Sequence, residues 1–297
     1  MYAITGASGK TGRAVAEALI AAGKDVQVIG RNEKRLQALV DLGAQAHVCT
    51  LDDAQAMTIA FSGAVGVYCI TPTHLTAADF YAHQRHVGEA LAAAIHKAGV
   101  EYVVNVSSIG AQHKSGTGPI KGLSEQEGRL NALKGVNVLH LRPGFFMENL
   151  LMNIDAIRKM GVVGTPARAD LAMPMIATRD IGNIAADRLL ALDFSGKTTR
   201  ELLGPKDITL AHATRAIATA ISKPDLKYVE LPYDDFRKAM IDKGVGPAAA
   251  AVFTELYRGI NEGLVVPTEE RSPDNTTPTT IEEYSKSFAL IYGAQGS

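Results

Sequence analysis

Apolar residues in the first half of the chain come in short runs that alternate with helical periodicities. Tyr2-Ala3-Ile4-Thr5 reads as a short strand, and behind it Val15, Ala18, Leu19 and Ala22 fall at i, i+3, i+4 and i+7, one stripe of a helix ending near Gly23. Further strands are expected at Val26 to Ile29, Ala44 to Cys49, Val65 to Ile70, Tyr102 to Val106 and Val136 to Leu141. Helical stretches at 32–41, 53–61, 76–98 and 123–133 separate them. The longest buries Val87, Leu91, Ala94, Ile95 and Ala98, and Gly99 closes it. This rhythm predicts an α/β chain: a Rossmann-type, doubly wound parallel sheet whose ligand lies across the carboxyl ends of the strands, where the strand order reverses.

After residue 150 the rhythm changes. The 147–160 segment reads as helical, 161–170 as a loop with Gly161, Gly164 and Pro166, and a strand at Met173 to Ala177 with a helix from Asp180 to Leu192 as a return to the sheet. A strand around Glu201 to Leu203 and helices near 209–222, 233–242, 247–262 and 280–291 complete a smaller C-terminal α+β lobe. The expected division is a dinucleotide-binding core over 1–150, with 171–193 returning to it, and a substrate-cleft lobe from 151–170 and 194–297. The 267–280 stretch, rich in Pro, Thr, Glu and Asp, is expected to be an exposed loop.

Chemistry enters at TGASGKTG, where Gly6, Gly9 and Gly12 follow the first strand at a G-x-x-G-x-x-G spacing. A pyrophosphate needs a backbone that turns without a Cβ and presents free N–H groups at a helix N-terminus, and these glycines supply both; Ser8, Lys10 and Thr11 complete the cradle. The second strand ends Ile29-Gly30-Arg31-Asn32, with glycine where an NAD site would carry a ribose-binding carboxylate and arginine next to it. That pair favours a 2′-phosphate, hence NADP(H). Lys34, Arg35, Lys10 and Arg13 either add charge toward the same phosphate or are ordinary solvated side chains. Asp52 is either an adenine acceptor or a helix cap. Thr71 and Pro72 end the fourth strand where the chain passes the adenosine half of the ligand.

Composition narrows the class. The 297 residues are 46% hydrophobic, and 30 basic against 31 acidic residues give a formal charge of −1, so no field recruits nucleic acid. No apolar run approaches the roughly 20 residues that span a bilayer, and no leader precedes the first strand, so a cytoplasmic protein without membrane partners is expected. Cys49 and Cys69 read as free thiols without chemistry, and eight scattered histidines form no metal motif.

Together with Asn105-Val106-Ser107-Ser108, VNVSSIG at 104–110, RPGFFMEN at 142–149, TRDIGNIAADRLL and LLGPKDITLAHA, these features resemble the NmrA-like branch of the atypical short-chain dehydrogenase/reductases, over nearly the whole chain. The resemblance implies a Rossmann core, NADP(H) preference and a lobe closing a substrate cleft. The branch includes NADPH-dependent reductases of quinones, triphenylmethane dyes and plant phenolics, and regulators that bind the dinucleotide without catalysis. The wider superfamily uses a Tyr-x-x-x-Lys pair, yet residues 111–135 contain no tyrosine. Lys121 lies near the position of the NmrA-like lysine and is a candidate for the nicotinamide ribose or for catalysis. His113 is a candidate proton donor, beside Lys114. Ser107 or Ser108, Pro143 and Phe145 are candidates for the nicotinamide side, with Phe145 or Phe146 as a flat wall, while Glu148 and Asn149 read as caps of the next helix.

Two functions are compatible with this pattern. One is an NADPH-dependent reductase passing hydride to a conjugated small-molecule acceptor, for which a missing tyrosine is no obstacle. The other is an NADP(H) redox sensor acting through a protein partner. A sugar-nucleotide epimerase or dehydratase fits least, because that chemistry depends on the absent tyrosine. Periodicity leaves monomer and homodimer open.

Overall fold

The computed structural model describes residues 1–294. In chain order the first half contains β1 (Tyr2–Thr5), α1 (Lys10–Ala21), β2 (Val26–Gly30), α2 (Gln37–Val40), β3 (Gln45–Val48), α3 (Ala54–Phe61), β4 (Gly66–Ile70), α4 (Phe80–Ala98), β5 (Tyr102–Val106), α5 (Ile120–Asn131) and β6 (Asn137–Pro143). There follow β7 (Phe145–Phe146), a 3-10 stretch (Met147–Asn153), α6 (Ile154–Met160), β8 (Val162–Thr165), β9 (Ala172–Ile176), α7 (Thr178–Ala191), β10 (Lys197–Leu202), β11 (Asp207–Thr209), α8 (Leu210–Ala220), β12 (Lys227–Glu230), α9 (Tyr233–Asp242), α10 (Pro247–Asn261) and α11 (Ile281–Ala294).

Seven parallel strands in the order β3-β2-β1-β4-β5-β6-β10 form the central sheet. The order reverses at β1, where Ile4 stands opposite both Val28 of β2 and Tyr68 of β4. One face packs against Val15 and Leu19 of α1 and Ile181 and Leu189 of α7. The other packs against Met57 and Phe61 of α3 and Leu91 and Ile95 of α4. A separate core gathers Leu150, Ile157, Met175, Ile217 and Phe288 beneath the second half of the chain.

Three expectations need correction, and a fourth is refined. Met173 to Ile176 does not return to the central sheet; β9 lies in a small sheet, parallel to β7 and antiparallel to β11, and only α7 returns, packed on α1. The strand at 201–203 belongs not to the lobe but to the central sheet, whose edge is β10; Lys-Thr-Thr-Arg-Glu-Leu hides it, since three exposed polar residues give an edge strand no apolar signature. The 161–170 loop contains β8, which pairs with β12 more than sixty residues later, a partner that local pattern does not reveal. The 267–280 stretch is the expected loop, exposed over 268–271, but it is tied down as a strap. The fully buried Glu201 carboxylate accepts from Thr268 N (2.9 Å), Thr268 Oγ1 (2.9 Å) and Glu269 N (2.9 Å), and Asn275, Thr277 and Thr279 are buried. In addition, α4 begins at Phe80 rather than 76, where Asp79 caps it by accepting from Ala82 N at 2.9 Å. Among the described residues no helix is long and apolar enough to cross a membrane, and no group of three His, Cys, Asp or Glu side chains is arranged to hold a metal.

Candidate functional site

Because the central strands run the same way, the segments after β1 to β6 meet at one edge. That edge carries the glycine turn, Arg31, Asp52, Thr71 and Pro72, Ser107 and the end of β6 at Pro143. Gly6 adopts φ +61°, and a Cβ there would lie 2.6 Å from Ile70 Cγ2. A Cβ on Gly12 would lie 2.5 Å from the Gly6 carbonyl oxygen and 3.0 Å from that of Thr5, so both glycines are required by packing. The N-cap of α1 is Gly9, whose own N–H donates to Gly6 O at 2.8 Å; it has no capping side chain, and the first N–H groups of a twelve-residue helix face out at its positive end. Ser8 is half-buried on this turn, whereas Thr11 points inward beside Tyr68. Burial holds the Lys10 ammonium below its ordinary pKa, with Glu148 nearby acting the other way.

At the end of β2, Gly30 packs under Leu36, 3.2 Å from where a Cβ would stand, which leaves a carboxylate there little room. Arg31 follows, exposed and without a hydrogen-bond or ion-pair partner among the described residues. The cap of α3 is Asp53, which accepts from Gln55 N and Ala56 N at 3.0 and 2.9 Å; Asp52 is therefore released from capping. Its carboxyl is held below the usual range, first by the Thr50 hydroxyl and also by His86 and His83.

From the ends of β4, β5 and β6 a cavity of about 580 Å³ extends beneath the second half of the chain. Thr71, Ser107, Pro143, Phe145 and Phe146 line its inner end. The Thr71 and Ser107 hydroxyls are buried and without a hydrogen-bond partner of normal geometry, although Ser107 lies close enough to Glu127 to favour its ionised form. Ser108 instead donates to the Ile109 carbonyl at 2.9 Å. Behind Ser107, Arg142 clamps Glu127 through two bonds of 2.9 and 2.6 Å, so Arg142 is no part of a free turn. Burial opposes the Glu127 charge, but Arg142, Ser107 and His140 together hold its pKa below the ordinary value. His140, its pKa pushed down by burial to about 4, accepts from Asn105 Nδ2 at 3.1 Å and donates to Asn131 Oδ1 at 2.9 Å when neutral and protonated at Nε2. None of this support under the β5 and β6 ends was read from the sequence. A lone histidine in an apolar strand was the available signal.

Neither catalytic candidate lines the cavity. His113 is half-buried, its backbone N–H donating to Gly110 O at 3.1 Å. The Lys121 ammonium sits 4.7 Å over the ring of Tyr81, although its neighbours Pro119 and Ile120 do line the cavity. A tyrosine thus stands beside Lys121, from α4 and not from α5. Its hydroxyl, however, is within donor reach of Gly118 O (3.2 Å) and Glu255 Oε2 (3.3 Å), and burial followed by the Glu255 charge raises its pKa, the reverse of what proton transfer needs. The loop before α5 is pinned as well: Gly116 N donates to Glu255 Oε1 at 3.0 Å, and Gly118, at φ +57°, leaves no space for a Cβ beside Val252 O. Glu148 caps α7 instead of its own helix, accepting from Thr178 N at 3.0 Å and Thr178 Oγ1 at 2.7 Å. Both cysteines are free, with burial pushing Cys49 up to about 11 and Cys69 to about 12.

The model of the NmrA-like family matches residues 2–285. The chain belongs to the NmrA-like family. It is 26% identical to the NAD(P)H azoreductase of Xenophilus azovorans over 298 aligned positions, 99% of this chain and 100% of that protein. The crystal structure of an NADPH-dependent quinone oxidoreductase from Escherichia coli is similar at a TM-score of 0.78 and 25% identity, covering 97% of this chain and 99% of that one. Triphenylmethane reductase of Citrobacter shares the fold at a TM-score of 0.79 and 17% identity, covering 98% and 99%.

Proposed function

We propose that this NmrA-like chain binds NADP(H) and reduces a conjugated, electron-poor acceptor: a quinone, an azo or triphenylmethane dye, or an enone. The observation that carries the reading is the cradle's geometry joined to the cavity beside it. Gly6 and Gly12 leave no room for a Cβ, the α1 N-terminus is uncapped by any side chain, and two buried hydroxyls stand where the cavity begins, Thr71 without a partner and Ser107 beside the Glu127 carboxylate. The α1 N–H groups would hold the pyrophosphate, and Arg31 would hold the 2′-phosphate by a bidentate, charge-assisted contact. Thr71, expected from the sequence beside the adenosine half, lines the cavity with Ser107, so both would orient the nicotinamide end, and Phe145 and Phe146 would exclude water from it. Bound NADPH supplies a hydride, which with one solvent proton converts a quinone to its hydroquinone. The chain contributes position and dryness and needs no side-chain acid for such an acceptor, which accords with His113, Lys121 and Tyr81 lying outside the cavity lining. The names of the azoreductase, quinone oxidoreductase and triphenylmethane reductase relatives support the same chemistry, and a cytoplasmic setting suits it.

One observation favours a second reading, an NADP(H) sensor that works through a protein partner: neither His113 nor Lys121 lines the cavity, and burial raises the pKa of Tyr257, the phenol that does. Steady-state oxidation of NADPH and NADH with menadione, an enone and a triphenylmethane dye separates the two. The reductase reading expects turnover of at least one acceptor with NADPH preferred; selective NADPH binding without any turnover would transfer the assignment to the sensor.

A further inference from the structure

Beyond its inner end the cavity is a trough between two helical faces. On one side Asn149, Met152, Asn153, Ala156 and Met160 line it, spaced i, i+3, i+4, i+7 and i+11 along the 3-10 stretch and α6. The opposite face of this segment, Met147, Leu150, Ile154 and Ile157, is already buried in the lobe's core. Facing it are Phe236, Ala239, Met240 and Lys243, at i, i+3, i+4 and i+7 of α9 and its C-cap. In α9 only Met240 is buried.

Met152, Ala156 and Met160 on one side and Phe236, Ala239 and Met240 on the other thus give the cavity two mainly apolar walls, of which the two methionines of the first and Ala239 of the second stand open to water. Met152 is 62% and Met160 68% exposed, and Val266, also lining the cavity, is exposed too. A helix that has already buried one face gains nothing for its own fold by presenting methionines on the other. From Met152 to Met160 the stripe runs at least about 12 Å, at 1.5 Å per residue. Among the described residues lining the cavity only Asp207 and Lys243 carry charge, and Asp207 is paired with Arg271. A nicotinamide and a small acceptor ring meeting near Thr71 and Ser107 would leave this outer trough unused.

We propose that the acceptor is an uncharged head-and-tail molecule: a flat conjugated head that reaches the Thr71 and Ser107 end, and an elongated alkyl or prenyl tail lying in the trough between the Met152–Met160 stripe and α9. The inference rests on the reductase reading for the identity of the head, but the tail groove is a claim about binding alone. It ranks sulfonated or cationic dyes below uncharged tailed molecules as ligands, because among the described lining residues Lys243 is the one unpaired charge and Asp207 is paired with Arg271.

The test uses a matched pair, 2,3-dimethoxy-5-methyl-1,4-benzoquinone and its 6-decyl derivative, titrated calorimetrically into the full chain loaded with NADP in its oxidised form, so that no turnover intervenes. A fully buried methylene is worth about a factor of four in affinity. A tail only partly covered by an open trough falls well below that ceiling, and at least a 30-fold advantage for the decyl compound is expected. Met152→Asp combined with Met160→Asp should reduce the advantage to under threefold; both side chains are exposed, and Met160→Gln alone, expected to reduce it several-fold, guards against misfolding of the double variant. Binding of the two quinones within threefold of each other, failure of the decyl compound to bind, or a decyl advantage that survives both substitutions would overturn the groove. Turnover with NADPH is read separately. A decyl preference without reduction would leave the groove and remove the reductase; reduction of both quinones with equal KM would do the reverse.

Discussion

Gly12→Ala probes the cradle at its tightest point. Its Cβ would stand 2.5 Å from the Gly6 carbonyl oxygen, about 0.9 Å inside ordinary contact, and 2.8 Å from the Gly6 carbonyl carbon. Both are backbone atoms of the same turn, so no rotamer relieves the overlap, and the helix must move away from the turn. It is blocked on its other side, because Gly182 packs α7 so closely that a Cβ there would lie 2.9 Å from Thr11 O and overlap Ala14 Cβ. Overpacking of this kind costs about 1–3 kcal/mol of stability. Displacement of the α1 N-terminus also removes at least one charge-assisted contact to a bound pyrophosphate, worth about 1.5–3 kcal/mol, which is roughly 10- to 150-fold in Kd. Urea unfolding measures the first effect, and calorimetric titration with NADPH and NADH the second. Because the pyrophosphate is common to both dinucleotides, both should weaken by the same factor. An NADPH affinity within threefold of wild type, or a loss confined to NADPH, would refute the assignment of this turn as the phosphate cradle.

Arg31→Ala should raise the Kd of NADPH by about 10- to 100-fold and leave that of NADH within threefold, since only the 2′-phosphate contact is lost; equal losses would remove Arg31 from the site. His140 takes up its proton only near pH 4 in the folded chain but near 6.5 when unfolded. The unfolded state therefore binds more protons between these values, and stability falls by about 3 kcal/mol as pH drops through that window. Urea midpoints from pH 7 to 4 should show this slope, and His140→Gln should remove it. Below about pH 4.5 the lowered pKa of Glu127 adds a further loss in the same direction, since its contribution is complete only above its unfolded value. Glu201→Gln leaves the N–H groups of Thr268 and Glu269 facing an amide in place of a buried carboxylate. It should cost about 2–4 kcal/mol and open the 267–280 strap to proteolysis, whereas an unchanged cleavage rate would show that the strap is held by its other bonds.

The parallel core was legible because the strands around its centre, β1, β2, β4, β5 and β6, are largely apolar and bounded by turn residues, and parallelism alone then brings Gly6, Arg31, Asp52, Thr71, Ser107 and Pro143 to one edge. The elements that escaped are those whose pairing is distant or polar. Nothing local in Val162-Val163-Gly164-Thr165 points to Lys227–Glu230, and Lys197-Thr198-Thr199 carries no apolar signal for an edge strand. The strap looked like a loop because its anchors, Glu201 and Asp180, lie sixty to a hundred residues away. Resemblance brought out Lys121 and residue chemistry His113, but their side-chain directions depend on α10 and Tyr81, which dock the preceding loop. The trough was visible only in part. The 147–160 helix was read as one element, but that its outward methionines face a second helix at the same spacing depends on where β8 and α9 place the lobe.

The most direct test is single turnover. NADPH premixed with excess protein, then mixed rapidly with menadione, should lose its nicotinamide absorbance at a rate that saturates with menadione and far exceeds the protein-free control. NADH at the same concentration should bind weakly and decay slowly. An NADPH complex that forms tightly and keeps its absorbance with menadione, an enone and a triphenylmethane dye alike would contradict the reductase account.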